Sequence, residues 1–270
     1  MTLHFALFGH PVAHSLSPQI HELFGKQCGI SLAYSITDTA ARGFKDSFET
    51  FVALGGTGAN VTAPDKSAAF DFCARHSNRA MRAKSVNTLV QRNGEWFGES
   101  TDGSGLLRDL RDRLDVDLHD LRVLLIGAGG AASAVAPALL DAGIAQLVVA
   151  NRTRTRAYDL IDRLGDDDRT RACTLDELAA QGRFDLVVYA ATPADAAQCA
   201  TWPTGIVSDT STFIDLNYGA RALATLTWAA QAGVTNLSDG LGMLIEQAAD
   251  SFEIWHAVRP QTTEVYSALR

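Results

Sequence analysis

Short apolar runs, closed by glycine, proline or small polar residues, alternate along the 270-residue chain with stretches whose apolar positions recur at helical spacing. Residues 3–8 predict a first strand, broken at Gly9, His10 and Pro11. Ser17 followed by Pro18 has the form of a helix entry, N-cap then first turn, for a helix over residues 18–28. Strands are expected at residues 32–36, 59–62 and 85–90, and as a short edge at 96–98, with helices at 41–54, 66–75 and 103–114. The second half predicts strands at residues 123–126, 147–150, 184–190 and 205–208, and a loop or short strand at 215–218. Its helices are expected to run from the glycines after 126 to 140, over 222–232 and over 243–258, with a turn at 239–242. Strands alternating with helices predict an α/β protein. No internal repeat or low-complexity tract is present. Glycine-containing loops near 102 and 240 read as hinges between two lobes, residues 1–101 with 240–270 and residues 102–239.

The second lobe opens on Val123, Leu124, Leu125 and Ile126, followed by Gly127, Ala128, Gly129, Gly130, Ala131 and Ala132. Strand, glycine turn and alanine-rich helix stand in the order of a dinucleotide-binding fold. Gly127 allows the tight turn, Gly129 lets the backbone approach a pyrophosphate, and Ala132 lets helix pack on strand. The N-terminus of the helix offers free N–H groups and positive potential to phosphates. Taken alone, the pattern is compatible with an ordinary strand-to-helix turn. The following strand adds to it, because it ends in Asn151, Arg152, Thr153, Arg154, Thr155 and Arg156. An NAD enzyme usually places a carboxylate there for the ribose 2′-hydroxyl. A guanidinium instead pairs with a 2′-phosphate. The cofactor is therefore read as NADP(H), with Arg152 the main phosphate contact and Arg154 or Arg156 assisting.

Composition narrows the class. A 47% hydrophobic and 20% charged chain can build a large core. No apolar run reaches transmembrane length, and the N-terminus lacks the basic and apolar regions of a secretory signal. The net charge of −8 disfavours a nucleic-acid binder. Cys28, Cys73, Cys173 and Cys199 form no CxxC pair, so they read as scattered buried thiols in a reducing compartment, the cytoplasm, with no metal site. A homodimer is compatible with the sequence, which does not fix the oligomeric state.

In the first lobe, Ser15, Ser17, Asn60, Thr62, Lys66, Asn87 and Asp102 follow the predicted strand ends. These small donors and acceptors suit a polyhydroxylated carboxylic acid, each hydroxyl of which needs a partner once desolvated. Ser17 reads equally as a helix cap. Lys66 reads either as a surface lysine or, since an ammonium at a helix N-terminus opposes the dipole, as a residue held there for a function. With Asp102 it would form an acid/base pair.

At this point the chain resembles the shikimate/quinate dehydrogenase family along nearly its whole length. The matching segments are GHPVAHSLSP, GANVTAPDK, AKSVNT, STDG, IGAGGAA, NRTRTRA and DGLGMLIEQA, in that order. The resemblance implies an N-terminal α/β substrate domain joined to a Rossmann-type parallel-sheet NADP domain. It implies NADPH-dependent, reversible reduction of 3-dehydroshikimate to shikimate, in the chorismate pathway to the aromatic amino acids. It also implies Lys66 and Asp102 as the catalytic pair. Ser15, Ser17, Asn60, Thr62, Asn87 and Gln247 would line the substrate pocket, with Tyr218 near it. On the cofactor side it implies Gly127, Ala128, Gly129, Gly130, Ala131, Asn151, Arg152, Thr153, Arg156 and Gly240. The chain departs from the family pattern at residues 189–193, at Leu223 and Ala224, and at Ser100. The alternatives are a quinate/shikimate enzyme of broader substrate and NAD use and a non-catalytic NADP-sensing relative.

Overall fold

The computed structural model describes residues 2–165 and 168–270. The chain divides into two compact units, Met1–Gly105 with Leu244–Arg270, and Leu106–Met243. The divisions fall inside helices rather than in loops near 102 and 240.

The first unit contains β1 (Leu3–Gly9), α1 (Ser17–Cys28), β2 (Leu32–Asp38), α2 (Gly43–Ala53), β3 (Gly58–Val61), α3 (Lys66–Phe72), β4 (Arg75–His76), α4 (Asn78–Ala83), β5 (Thr88–Arg92) and β6 (Glu95–Glu99). Helix α5 (Asp102–Arg108) follows and leads into a π-helical turn at Asp109–Arg113. The sheet order is β2-β1-β3-β5-β6-β4. β1 runs parallel to β2 and β3, whereas β5 is antiparallel to both β3 and β6. Phe8, Phe44 and Phe48 are buried against one face of the sheet, the ring of Phe8 meeting Phe44 edge-on at 5.9 Å and Phe48 at 5.5 Å.

The second unit contains β7 (Arg122–Ile126), α6 (Gly130–Asp141), β8 (Gln146–Ala150), α7 (Arg154–Leu164), β9 (Thr170–Cys173), β10 (Leu186–Tyr189), α8 (Ala196–Cys199), β11 (Thr212–Asp215), α9 (Leu223–Gln231) and β12 (Asn236–Asp239). Helix α10 (Leu241–His256) then carries the chain back to the first unit, which ends in α11 (Thr262–Leu269). All strands of the second sheet are parallel, in the order β12-β11-β10-β7-β8-β9. Both faces of this sheet are covered. Val123 and Leu125 of β7 enter one apolar cluster while Leu124 and Ile126 enter the other, and β8 and β10 alternate in the same way. A strand buried on both faces must be apolar throughout, which is why these segments read as continuous runs. The chain winds outward from β7 in one direction and from β10 in the other. The switch point therefore lies between the carboxyl ends of these two strands, where such sheets bind ligands.

Several expectations need correction. Residues 205–208 do not form a strand: Thr204–Ile206 is a 3₁₀ turn and the strand is β11. Ile206 and Val207 are both buried, so two adjacent apolar residues in and after a turn imitated a strand. The helix expected to reach 75 stops at Phe72, because Arg75 and His76 pair with β6. Ser17 lies inside α1, with Leu16 at the cap position and no side-chain cap. Cys28 is only half-buried, unlike the other three cysteines. Strands β9 and β12 and helices α4 and α11 are absent from the sequence reading, being short and of weak periodicity.

Gly240 enters α10 against the backbone of Leu216. A Cβ at this position would lie 2.3 Å from the Leu216 carbonyl oxygen and 2.6 Å from its carbon, and a backbone neighbour cannot rotate away. Gly240→Ala is therefore expected to destabilise the protein by about 2 kcal/mol or more. Urea denaturation should show a lower midpoint at an unchanged slope.

Candidate active site

In the first unit, Lys66 is the first residue of α3 and Asp102 the first of α5. Lys66 Nζ lies 2.5 Å from Asp102 Oδ2, and the two side chains are 13% and 8% exposed. A carboxylate at a helix N-terminus is favoured by the dipole and an ammonium is not. The ion pair offsets the unfavourable placement of Lys66.

The other Asp102 oxygen, Oδ1, accepts a hydrogen bond from Asn87 Nδ2 at 3.1 Å. The same nitrogen lies 2.8 Å from Thr101 Oγ1 and 3.0 Å from Gln247 Oε1. Asn87 Oδ1 accepts from the Thr101 main-chain N–H at 2.8 Å, which fixes the direction of the carboxamide. Gln247, on α10, donates from Nε2 to the Leu244 carbonyl at 2.7 Å, leaving its second N–H free of that bond. Asn60, on β3, is committed inward. Its Nδ2 is within 3.1 Å of the Asn87 carbonyl oxygen and of Thr88 Oγ1, and 3.0 Å from Ser251 Oγ. Its Oδ1 accepts from the Tyr34 hydroxyl at 2.8 Å. Both N–H groups of Asn60 are thus satisfied by the protein, and only acceptor capacity remains for a ligand.

Ser15 and Ser17 form a separate pair. The Ser15 hydroxyl donates to Ser17 Oγ at 3.1 Å and accepts from the Ser17 main-chain N–H at 3.2 Å. Thr62, just past β3, is half-buried and its hydroxyl has no protein partner among the described residues. The structure thus gathers Lys66, Asn87, Asp102 and Gln247 into one network, connects Asn60 to its inner side, and keeps Ser15, Ser17 and Thr62 outside its direct bonds. Sequence reasoning missed Thr101, Thr88, Tyr34 and Ser251. Thr101 lies within the STDG segment beside Asp102. Ser251 follows Gln247 by four residues on a helix, which puts both on one face.

In the second unit, Gly127 has φ +122°, and a Cβ there would lie 2.7 Å from the Ala190 carbonyl oxygen. The glycine turn thus runs against the end of β10 at the switch point. Gly129 caps α6 in an extended conformation, and Gly129 and Gly130 are exposed while Ala128 and Ala131 are half-buried. A Cβ at Gly129 would meet nothing within 4 Å, so the absent side chain keeps open the space at the helix end. After β8, Asn151 Nδ2 donates to the Thr153 carbonyl at 2.9 Å and closes the turn into α7. Arg154 is held by Glu177 and lies over the ring of Tyr158. Arg152 and Arg156 are exposed and make no ion pair or side-chain hydrogen bond among the described residues. Three arginines at or near a helix start oppose its dipole, and only Arg154 of them is paired among the described residues.

Tyr218 precedes a 3₁₀ turn at Gly219–Ala222 and is half-buried. Nearby Asp215 is fully buried; desolvation pushes its carboxyl group up, while bonds from Thr225 and Asn217 act against the shift. Asn217 Nδ2 reaches both Asp215 Oδ1 at 2.8 Å and the Ala191 carbonyl at 3.1 Å. The Tyr189 hydroxyl donates to the Thr192 carbonyl at 2.6 Å. The unusual segment 189–193 is thereby tied down at two points.

Parallel-sheet topology, the glycine turn and the paired cation and carboxylate define a two-unit α/β protein of dinucleotide-dependent oxidoreductase type. Models of three family domains match the chain: shikimate dehydrogenase substrate binding domain over residues 7–89, shikimate/quinate 5-dehydrogenase over 109–201, and shikimate 5′-dehydrogenase C-terminal domain over 240–270. The chain belongs to the shikimate dehydrogenase family. It is 52% identical over 271 residues to a shikimate dehydrogenase (NADP(+)) of Stenotrophomonas maltophilia, covering 100% of this chain and 96% of that protein. The Xanthomonas campestris protein of the same name is 53% identical over 269 residues, covering 98% and 95%. The fold matches the Thermus thermophilus shikimate 5-dehydrogenase solved in complex with NADP(H) and shikimate, with a TM-score of 0.85, 32% identity and coverage of 99% and 98%. An Ael1 enzyme from Pseudomonas putida matches with a TM-score of 0.87 and 36% identity over 99% and 98% of the two chains.

One buried group outside the ion pair makes stability depend on pH. His21 is inaccessible to solvent, stacks on Tyr34 at 4.4 Å, and has no hydrogen-bond partner on either ring nitrogen. Burial pushes its pKa from 6.5 down to about 3. The unfolded chain therefore binds a proton that the folded chain refuses between these values. The His21 contribution to stability is complete above pH 6.5 and falls as pH drops below it, by up to about 1.4 kcal/mol per pH unit. Urea midpoints measured from pH 7 to pH 5 should fall more steeply for the native sequence than for His21→Phe.

Proposed function

We infer that the chain catalyses the reversible reduction of 3-dehydroshikimate to shikimate with NADPH, a step toward chorismate and the aromatic amino acids. The observation that carries this reading is the Lys66–Asp102 ion pair, embedded in a hydrogen-bonded set of Asn87, Thr101 and Gln247. Its charges and amides match a ring that bears a carbonyl and several hydroxyls. NADPH supplies the hydride when bound. Lys66 Nζ carries three N–H groups, one of which is turned to Asp102. The others can meet the carbonyl oxygen, stabilise the charge that develops on it, and deliver the proton; in the reverse direction the amine takes that proton back. Asp102 holds the amine in place and accepts from a ring hydroxyl. Ser15 and Ser17 are assigned to the substrate carboxylate, and Thr62, Asn87, Gln247 and Tyr218 to the remaining oxygens. Asn60 serves this set as a support.

The second unit fits the cofactor. The open space at Gly129 and the start of α6 suit the pyrophosphate. Gly127, Ala128, Gly130, Ala131, Asn151, Thr153 and Gly240 shape the surrounding backbone. Arg152 and Arg156 are assigned to the 2′-phosphate, and Arg154, already engaged by Glu177, is not. All four cysteines are free, in keeping with a reducing compartment, and we take the cytoplasm as the site of the reaction. Residues 1–105 with 244–270 are read as the substrate domain and 106–243 as the NADP domain.

The direct test follows the absorbance of reduced nicotinamide with shikimate or quinate, each with NADP⁺ or NAD⁺. Shikimate with NADP⁺ is expected to give the highest kcat/KM; binding of NADP⁺ without turnover would instead identify a sensor. Lys66→Ala should lower kcat by about a thousandfold and leave shikimate affinity within about tenfold. Arg152→Ala should raise KM for NADP⁺ by about tenfold or more and leave that for NAD⁺ within about twofold. Arg154→Ala should have a smaller effect on NADP⁺ than Arg152→Ala.

A further inference from the structure

Ser251 lies on α10, one turn beyond Gln247, and is fully buried together with Thr88 and Thr101. A serine inside a helix is a poorer helix former than alanine, and a buried hydroxyl must be hydrogen-bonded to be tolerated. Ser251 is richly bonded. Its hydroxyl has two acceptors in reach, the Gln247 main-chain carbonyl at 3.0 Å and Thr88 Oγ1 at 2.7 Å. Its oxygen receives from Asn60 Nδ2 at 3.0 Å and lies 3.4 Å from Thr101 Oγ1. The Thr88 hydroxyl donates in turn to Asn87 Oδ1 at 3.2 Å, an oxygen held also by the Thr101 main-chain N–H. The Asn87 nitrogen is left directed to Thr101 Oγ1, Gln247 Oε1 and Asp102 Oδ1.

We propose that Ser251 is a positioning residue for the reaction: its hydroxyl orients Thr88 onto Asn87 Oδ1 and anchors Asn60, which bonds the Asn87 main-chain carbonyl, and so holds the Asn87 carboxamide that donates to Asp102, the partner of Lys66. Ser251 itself touches neither Lys66 nor Asp102. Its influence passes through Asn87, and hydrogen bonds in such a network support one another. The proposal rests on the dehydrogenase reading above.

The test uses the full chain with shikimate and NADP⁺, and two variants. Ser251→Ala removes the hydroxyl. Ser251→Cys keeps nearly the same volume but is a weak donor and acceptor. Circular dichroism and thermal denaturation establish that each is folded. Both folded variants are expected to lose about fivefold in kcat/KM for shikimate, chiefly in kcat, with KM for NADP⁺ within about twofold of the native value. If Ser251→Cys keeps native kcat while Ser251→Ala loses it, the residue fills space and the proposal falls. It falls also if both variants are fully active, if the loss only tracks the folded fraction, or if neither variant folds. Should Ser251→Ala alone fail to fold, Ser251→Cys decides. Turnover by the native chain is measured first: its absence would refute the dehydrogenase reading, whereas native turnover matched by the variants would refute only the role of Ser251.

Discussion

The contact between Lys66 and Asp102 is the constraint around which the first unit is arranged. Each residue opens a helix, and the positive end of a helix suits only one of them. The amine is tolerable at the start of α3 because the carboxylate at the start of α5 is brought to it. That carboxylate, nearly removed from water, requires further donors, and Asn87 provides one. Asn87 in turn needs its own carboxamide held, and Thr101, Thr88, Gln247, Ser251 and Asn60 close around it. One charged pair thus accounts for a group of buried polar residues that a purely apolar core would exclude. The sheet helps to fix their spacing: β3 and β5 are antiparallel neighbours, and Asn60 faces Thr88 in their register.

The second unit solves a different problem. Its strands are apolar on both faces and its chemistry is confined to their carboxyl ends. Gly127 lets the chain turn there against Ala190, and Asn217 ties Asp215 to Ala191 across the neighbouring loop. Backbone geometry dominates here, which explains why glycine and small side chains prevail at one end of the sheet.

Much of this was legible in the sequence because it follows from local rules. The apolar runs of β7, β8 and β10, the glycine turn and the helix α10 are strong, contiguous signals. Lys66, opening a helix against its dipole, was open to two readings, and the resemblance of the GANVTAPDK segment chose between them. What could not be read depends on distant contacts. Thr101 and Ser251 are 150 residues apart in the chain yet 3.4 Å apart in space, and neither the STDG segment nor the spacing of Ser251 from Gln247 says that the two meet. β9 and β12 are four-residue strands held mainly by their neighbours. The choice between Arg154 and Arg156 rested on Glu177, which approaches from a different turn. The N-cap reading of Ser17 failed because Leu16 took that position and the Ser17 oxygen accepts from the Ser15 hydroxyl.

The uncommitted guanidinium groups of Arg152 and Arg156 sit on a molecule with a net charge of −8. The far field of such a molecule repels a dinucleotide phosphate rather than drawing it in. At physiological ionic strength, screening confines the attraction of these groups to about 8 Å. In the role proposed for them they would act as a lock at close range and not as a beacon, discriminating between two dinucleotides already in place and doing little to speed their arrival.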